Sequence, residues 1–306
     1  MTDVTIDPSE IPFPKSPVQP ELIEGDKEIR FRCHRGVACW NACCRNIDIT
    51  LTPYDILRLK RRLKITSTEF LAKYTEPYEL EKDGIAGVKL KPVENGTACQ
   101  FMREEGCSVY QDRPTACRYY PLALLSLRRQ DESTDRAAYA LVKEPHCLGH
   151  DEDRPITVDD YRREQGVEEY DELARGWRQL VLKKKSSGPT VGKPSPRSLQ
   201  MFFMVCYDLD RFREFVASDA FNGVYDLPIE LRRELEADEV ALMQFGFRLL
   251  RQVLFSEPSI PIRPDALEKR LARKQEREAR LDEIAAKLGP LEEVGKRADD
   301  PYQQID

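Results

Sequence analysis

Cysteine is the residue type whose number and spacing in this chain point most clearly to chemistry. The chain has nine cysteines, and eight of them lie in its first half. Thiolates are soft ligands that suit zinc, copper(I) and iron–sulfur clusters. Because thiols stay reduced in the cytoplasm, clustered cysteines there favour metal ligation over disulfides. The predicted metal ligands are Cys33, Cys39, Cys43, Cys44, Cys99, Cys107, Cys117 and Cys147.

The spacing of these cysteines leaves the metal open. No CxxC pair occurs in the chain, whereas an ordinary zinc ribbon is built on paired CxxC turns. The bacterial ferredoxin run CxxCxxCxxxC is also absent. Zinc and iron, including an iron–sulfur centre, are therefore both retained. Eight thiolates suffice for two sites of four ligands, or for one such site and a second with mixed ligands.

Cys43 and Cys44 are adjacent in the chain. Neighbouring side chains point apart in extended structure, so these two thiols are expected to serve different sites or opposite sides of one cluster. A disulfide between them is disfavoured because its ring would be strained.

Histidine and arginine side chains near the cysteines are candidates for supporting roles. The spacing of Cys147 and His150 is that of a mixed Cys/His site. Each histidine is a candidate ligand, with support of a ligand or a surface position as the alternatives; the three are His34, His146 and His150. Arginines that donate hydrogen bonds would offset the negative charge of a four-thiolate site, with surface exposure as the alternative; the candidates are Arg45, Arg113 and Arg118.

Composition limits the remaining function classes. The chain has 306 residues, a net charge of −6 and 33% charged residues. A chain of this length can bury a core without metals or disulfides. Its negative charge argues against general nucleic-acid affinity. We expect a cytoplasmic protein without a membrane span, because no secretory signal and no stretch of 18 apolar residues is visible.

The pattern of elements predicts an α+β fold, in which a small cysteine-rich domain of short strands and helices precedes a mainly α-helical C-terminal region. Residues 1–28 are rich in proline and predict an extended tail. The cysteine-cluster metal-binding domain is expected over 29–155 and a helical extension over 156–182. A linker rich in Lys, Pro, Gly and Ser is expected over 183–197, before a helical region over 198–306.

Local signals place several elements around the cysteines. Thr52 with Asp55, and Thr66 with Glu69, predict capped helix starts. Ile85–Lys91 predicts a strand. Pro114 predicts the start of a short helix that carries Cys117 near its first turn, where the helix dipole favours a thiolate.

The second half of the chain is predicted to be helical. Apolar spacing predicts helices over 167–182, 199–216, 230–254 and 265–288. Cys206 lies on the apolar face of the second, so we interpret it as a small buried hydrophobe rather than a ligand. The last helix is dominated by charged residues and is a candidate surface for a protein partner.

The cysteine arrangement over about residues 29–150 resembles the YkgJ-type cysteine-cluster family of bacteria, described as a zinc- or iron-chelating domain. The resemblance implies metal binding without implying a reaction. Flagellin lysine N-methylases share a similar cluster, so protein-lysine N-methylation with S-adenosylmethionine is the alternative function. Besides the cysteines, the residues that carry the resemblance are Phe31, Phe101, Gly106, Tyr110, Arg113, Pro114, Arg118, Tyr120, Pro121 and Gly149.

Three functional hypotheses follow, in order of preference. The first is a metal-binding protein that holds zinc or iron in its cysteine domain. The second is an enzyme, either a lysine methylase or an iron–sulfur redox protein, although neither a Gly-rich nucleotide loop nor the CxxxCxxC of radical enzymes is present. The third is an interaction module that docks through its charged C-terminal helices.

Overall fold

The computed structural model describes residues 17–81, 85–127, 136–186 and 194–288. Short strands in small sheets combine with helices that dominate the second half, which confirms the predicted α+β class. The chain forms two compact units. The first contains the described residues up to Glu214 together with Ile229–Ser259. The second contains Phe215–Pro228 and the described residues from Ile260 onward.

A three-stranded antiparallel sheet contains β1 (Val18–Ile23), β8 (Leu122–Leu127) and β9 (Arg136–Val142), in the order β1-β9-β8. A separate pair joins β2 (Glu28–Arg30) to β10 (Pro155–Thr157). Because β1 lies at the edge of the first sheet, the end of the predicted extended tail contributes an edge strand, where proline is tolerated. The rest of that tail lies outside the described residues.

A second antiparallel sheet has the order β3-β5-β4. Its strands are β3 (Thr50–Leu51), β4 (Thr75–Glu81) and β5 (Ile85–Leu90), and β5 confirms the strand predicted there. A tight hairpin of β6 (Met102–Arg103) and β7 (Gly106–Cys107) follows. This hairpin lies between two of the predicted ligands.

The capped helix starts are confirmed. In α1 (Pro53–Leu63), Thr52 and Asp55 form a reciprocal capping box. Thr66 and Glu69 do the same for α2 (Ser67–Tyr74). The short α3 (Thr115–Tyr119) carries Cys117 as expected.

The predicted helix over 199–216 is wrong as a single element. It consists of α6 (Pro196–Tyr207) and α7 (Leu209–Ala217), which meet at Asp208. The carboxylate of Asp208 accepts hydrogen bonds from Ser67 Oγ at 2.7 Å and Thr68 Oγ1 at 2.9 Å. These contacts hold Asp208 outside helical geometry. The interruption therefore depends on residues far away in the sequence.

The helix predicted over 230–254 is likewise two helices, α9 (Ile229–Ala237) and α10 (Glu239–Phe255). Asp238 interrupts them because its side chain caps α10, accepting hydrogen bonds from Val240 N and Ala241 N. Two further helices, α4 (Val158–Gln165) and α5 (Val167–Ser186), precede α6 in the chain.

The core of the first unit has two parts. Near the cysteines, Phe31, Tyr119 and Tyr161 belong to one buried apolar cluster. Farther along, α10 packs against α5 and α6. Cys206 of α6 is buried, as predicted. The helices α5, α6 and α10 thus belong to the same compact unit as the cysteine region, while the domain boundaries drawn from sequence stay a prediction.

The second unit contains α8 (Asp219–Asn222) and α11 (Ala266–Leu288). Arg263 pairs with Asp226 at 3.1 Å, and Phe221 is buried against the ring of Tyr225. None of the described helices is both long and apolar enough to cross a membrane.

Candidate metal centre

The eight clustered cysteines lie in loops and short turns of the first unit rather than in long elements. Four of them follow β2 on one loop, which ends in a helical turn over Ala42–Cys44. Cys99 precedes the β6–β7 hairpin, Cys107 lies on its second strand, and Cys147 precedes a helical turn over Leu148–His150. All nine cysteines are free thiols. The predicted ligands are therefore available as thiolates.

Backbone contacts join the segments that carry Cys33, Cys39 and Cys147. Arg32 N donates a hydrogen bond to Gly149 O at 3.0 Å, which holds the strand before Cys33 against the turn after Cys147. Leu148 N donates to Cys39 Sγ at 3.3 Å. We call Cys33, Cys39 and Cys147 the outer set.

Four other cysteines are brought together around the hairpin. Cys99 N donates to Cys44 O at 2.8 Å, and Cys107 pairs with Met102 across the hairpin. Cys117 lies close enough to Cys99 and Cys107 for their thiols to raise its pKa. We call Cys44, Cys99, Cys107 and Cys117 the inner set.

Cys43 lies between the two sets. Its Sγ is 4.0 Å from the Sγ of Cys44. Its thiol raises the pKa of Cys33 and Cys147 in the outer set, and that of Cys107 and Cys117 in the inner set. Cys43 is therefore near members of both sets, and its position does not assign it to either one.

Backbone amides point at several of the sulfur atoms. The Cys99 sulfur accepts from the amides of Phe101 and Met102, and the Cys147 sulfur accepts from the amide of Gly149. The Cys107 sulfur likewise accepts a hydrogen bond from the amide of Val109. Hydrogen bonds of this kind lower a thiol pKa because they stabilise the thiolate, which is the form that binds a metal.

The hairpin that presents Cys107 depends on a glycine. Gly106 has φ +128°, and a Cβ there would lie 3.0 Å from the ring of Trp40. Any other residue would be strained in this conformation, so Gly106 sets the approach of Cys107 to the inner set.

The thiols oppose one another's ionisation. Burial, together with the neighbouring thiols of Cys43 and Cys39, raises the pKa of Cys33 to about 11. Burial also raises the pKa of Cys117, with Cys99 and Cys107 adding to the effect. Crowded thiolates repel one another, and a bound cation would reverse that repulsion. The donor set therefore fits a metal that prefers thiolate ligands.

The thiols are gathered but not closed around a common point. Among the residues that the structure describes, no three Cys, His, Asp or Glu side chains converge to hold a metal ion. Metal binding would have to draw the sulfur atoms together, as in sites whose ligation is coupled to folding.

Comparison with known proteins agrees with this arrangement. Residues 32–163 match the model of the CxxCxxCC family, described as a "putative zinc- or iron-chelating domain". Over these residues the chain is therefore similar to the CxxCxxCC family. The match spans less than half of the chain and includes all eight clustered cysteines. No curated protein and no solved structure matches the chain.

The histidines of the CxxCxxCC domain have other partners. His34 Nε2 lies 3.0 Å from Glu152, and His146 Nε2 lies 3.6 Å from Glu144. His150 Nε2 lies 2.9 Å from Val142 O, while its Nδ1 is buried without a hydrogen-bond partner among the described residues. These contacts occupy one ring nitrogen of each histidine, as they would both in a ligand and in a residue that supports one.

Arg113 lies where it can offset thiolate charge. Its guanidinium donates to Tyr110 O at 2.8 Å and to Gln165 Oε1 at 2.6 Å. Its positive charge favours the ionised form of Cys33 and Cys107 and so acts to lower their pKa values. Arg113 thus acts on these thiols through its charge, while the hydrogen bonds described here go to Tyr110 and Gln165.

Arg118 has a different role from the one predicted. Its guanidinium donates to the carbonyl oxygens of Gln111, Arg113 and Gln165, and to Tyr170. It therefore joins α3 to α5 rather than facing the thiols. Arg45 is exposed.

Asp55 is a supporting residue that sequence reasoning recognised only as a helix cap. It is fully buried. One carboxylate oxygen accepts from Thr115 N and Thr115 Oγ1, both at 2.7 Å, and the other accepts from Thr52 N at 2.8 Å. Asp55 therefore ties the start of α1 to the start of α3, which carries Cys117. Only the fold reveals this second contact, because the two threonines are distant in sequence.

Tyr120, one of the residues that carry the family resemblance, also lies at the site. Its hydroxyl is buried. Burial raises its pKa, as do hydrogen bonds with Cys147 and Glu144. The hydroxyl acts in turn to lower the pKa of the Cys147 thiol, so Tyr120 supports a thiolate ligand there.

Proposed function

We propose that this protein binds a metal through the cysteine thiolates of its CxxCxxCC domain, with zinc or iron as the metal and an iron–sulfur centre as one form of the latter. The observation that carries the proposal is the gathering of eight free thiols on turns and short elements, with backbone amides that point at several of the sulfur atoms. The family match supports chelation of zinc or iron.

The protein's own residues have distinct parts in this function. The eight cysteines supply the ligands, and the amides after Cys99, Cys107 and Cys147 stabilise their thiolates. Arg113 reduces the net negative charge, and Asp55 holds the helix that carries Cys117. A metal with four protein ligands would stabilise the fold.

The alternative function, protein-lysine N-methylation with S-adenosylmethionine, rests on the family resemblance alone.

The reducing environment that keeps thiols free supports a cytoplasmic location.

A protein partner at α11 is supported by the exposed apolar side chains of Leu271, Leu281 and Ile284. Its test is whether Leu281→Asp reduces the mass of the species that the full chain forms in solution.

The direct test of metal binding is elemental analysis with an optical spectrum on protein purified without oxygen. We expect zinc in a colourless protein, or iron with acid-labile sulfide in a brown one. The variant Cys206→Ala, which changes the cysteine outside the cluster, is the control and should keep the wild-type metal content. Folded wild-type protein that contains neither metal, and takes up neither when reduced, would refute the proposal.

A further inference from the structure

The inner set is held as a unit by the backbone. Cys44 and Cys99 are joined by the 2.8 Å hydrogen bond between their main chains, and Cys107 lies on the hairpin that begins after Cys99. Cys117 is the fourth member: Asp55 anchors its helix, α3, which packs against β3 after Cys44, and its thiol lies near those of Cys99 and Cys107. Four thiolates are the usual complement of a closed structural site.

The outer set has three thiols and needs a fourth. Cys33 is joined to the turn after Cys147 through Arg32, and Cys39 accepts from Leu148 N. Cys43 is the eighth clustered cysteine; its Sγ lies 4.0 Å from that of Cys44, and it is exposed like Cys33. Because the inner set already has four members, Cys43 is the cysteine that remains to complete the outer set.

The two groups differ in their access to solvent. Cys99 is buried, and the other three inner thiols are partly buried. In the outer set Cys33 and Cys43 are both exposed, while Cys39 and Cys147 are partly buried. An ion in the outer position would therefore be open to incoming ligands on the side of Cys33 and Cys43.

We infer that the domain contains two unlike metal centres: a closed inner centre of Cys44, Cys99, Cys107 and Cys117, and an open outer centre of Cys33, Cys39, Cys43 and Cys147 that exchanges its metal. This inference rests on the proposed function and adds to it a division of ligands and a difference in lability. On exchange, the ion passes to an incoming chelator and the freed thiolates take up protons from solvent.

Zinc release from the full-length protein tests the inference. The reduced chain is loaded with Zn²⁺ and mixed with a chromogenic chelator. We expect about two equivalents, given four ligands for each zinc, released in a fast and a slow phase. Cys33→Ser should remove the fast phase and keep the slow one. Cys107→Ser should remove the slow phase and lower the melting temperature, and Cys206→Ala should keep both phases.

The outcomes separate this inference from the proposed function. Release in a single phase, or loss of both phases in Cys33→Ser, would overturn the division while leaving metal binding intact. Absence of bound zinc in the wild-type chain would overturn metal binding itself. If Cys107→Ser fails to fold, Cys33→Ser decides the question alone, because the exposed Cys33 lies outside the buried core.

Discussion

Asp55 shows at the scale of one residue how the first helix positions a metal ligand. Its buried carboxylate faces three donors from Thr52 and Thr115. These donors favour its ionised form, although burial raises its pKa. The residue serves both as part of a capping box and as the anchor of the helix that carries Cys117.

The substitution Asp55→Asn would replace one acceptor oxygen of the carboxylate by an NH2 group. This buried NH2 group would face the donors of Thr52 and Thr115 and would have no acceptor of its own. We expect the free energy of unfolding to fall by about 3 kcal/mol, since hydrogen bonds to a buried charge contribute about 1.5–3 kcal/mol each. Urea unfolding measures this change. Asp48→Asn is the matched control, because the Asp48 side chain is 81% exposed; equal effects of the two substitutions would contradict the anchoring role.

Gly106 has a comparable role at the hairpin. Its positive φ and the nearby Trp40 ring exclude a Cβ without strain. We expect Gly106→Ala to destabilise the protein by about 1–3 kcal/mol and to weaken zinc binding by the inner set. A competitive zinc titration checks this, and unchanged affinity would show that the turn does not set the position of Cys107.

At the scale of elements, three helices of the first unit meet at a network of charges. Glu239, at the start of α10, accepts from Lys60 at 2.5 Å and from Arg61 at 2.6 Å. Asp210, near the start of α7, lies 2.9 Å from Lys60. The Lys60 ammonium is buried, so the carboxylates that surround it compensate a charge that would otherwise be costly.

This network predicts a dependence of stability on pH. Burial acts to raise the pKa of Glu239, but hydrogen bonds from Lys60 and Arg61 outweigh it and lower the pKa from 4.5 to about 2. Because the folded pKa is lowered, the contribution of Glu239 is present above pH 4.5 and is lost as the pH falls towards about 2.

Unfolding of the wild type and of Glu239→Gln over this pH range tests the prediction. The variant should be less stable by about 1–3 kcal/mol above the unfolded pKa, as for a hydrogen bond to a charged group. The difference should shrink as the wild-type carboxylate is protonated. A difference that stays constant with pH would exclude charge as its source.

The packing of α10 on α6 gives a further prediction about elements. A Cβ at Gly246 would lie 2.6 Å from the Val205 side chain and 3.0 Å from the ring of Phe212. Overpacking a core typically costs about 1–3 kcal/mol. This cost exceeds the free energy gained from helix propensity when alanine replaces glycine. We expect Gly246→Ala to lower the melting temperature, whereas Val253→Ala on the exposed side of the same helix should have little effect.

At the scale of the whole molecule, the sequence predicted what local chemistry determines. The capping boxes at Thr52 and Thr66 need only neighbouring residues, so their helices were predicted correctly. Gly166 ends α4 with φ 64° for the same reason. The α+β class followed from the short strands around the cysteines and the long apolar periodicities after them.

What the sequence did not predict depends on contacts between distant residues. The break at Asp208 requires the hydroxyls of Ser67 and Thr68, which lie about 140 positions earlier. The division of the cysteines likewise depends on backbone pairings, such as Arg32 with Gly149 and Cys99 with Cys44. Spacing alone left several partitions of eight thiols equally available, and the adjacent Cys43 and Cys44 gave the only local indication.

The central claim is that the clustered thiolates are the ligands of a bound metal. X-ray absorption at the metal edge of the purified full-length protein measures the ligand shell directly. We expect a first shell of sulfur atoms alone, at about 2.3 Å if the metal is zinc. A first shell of nitrogen or oxygen atoms would contradict the claim, because it would place the metal on residues other than these cysteines.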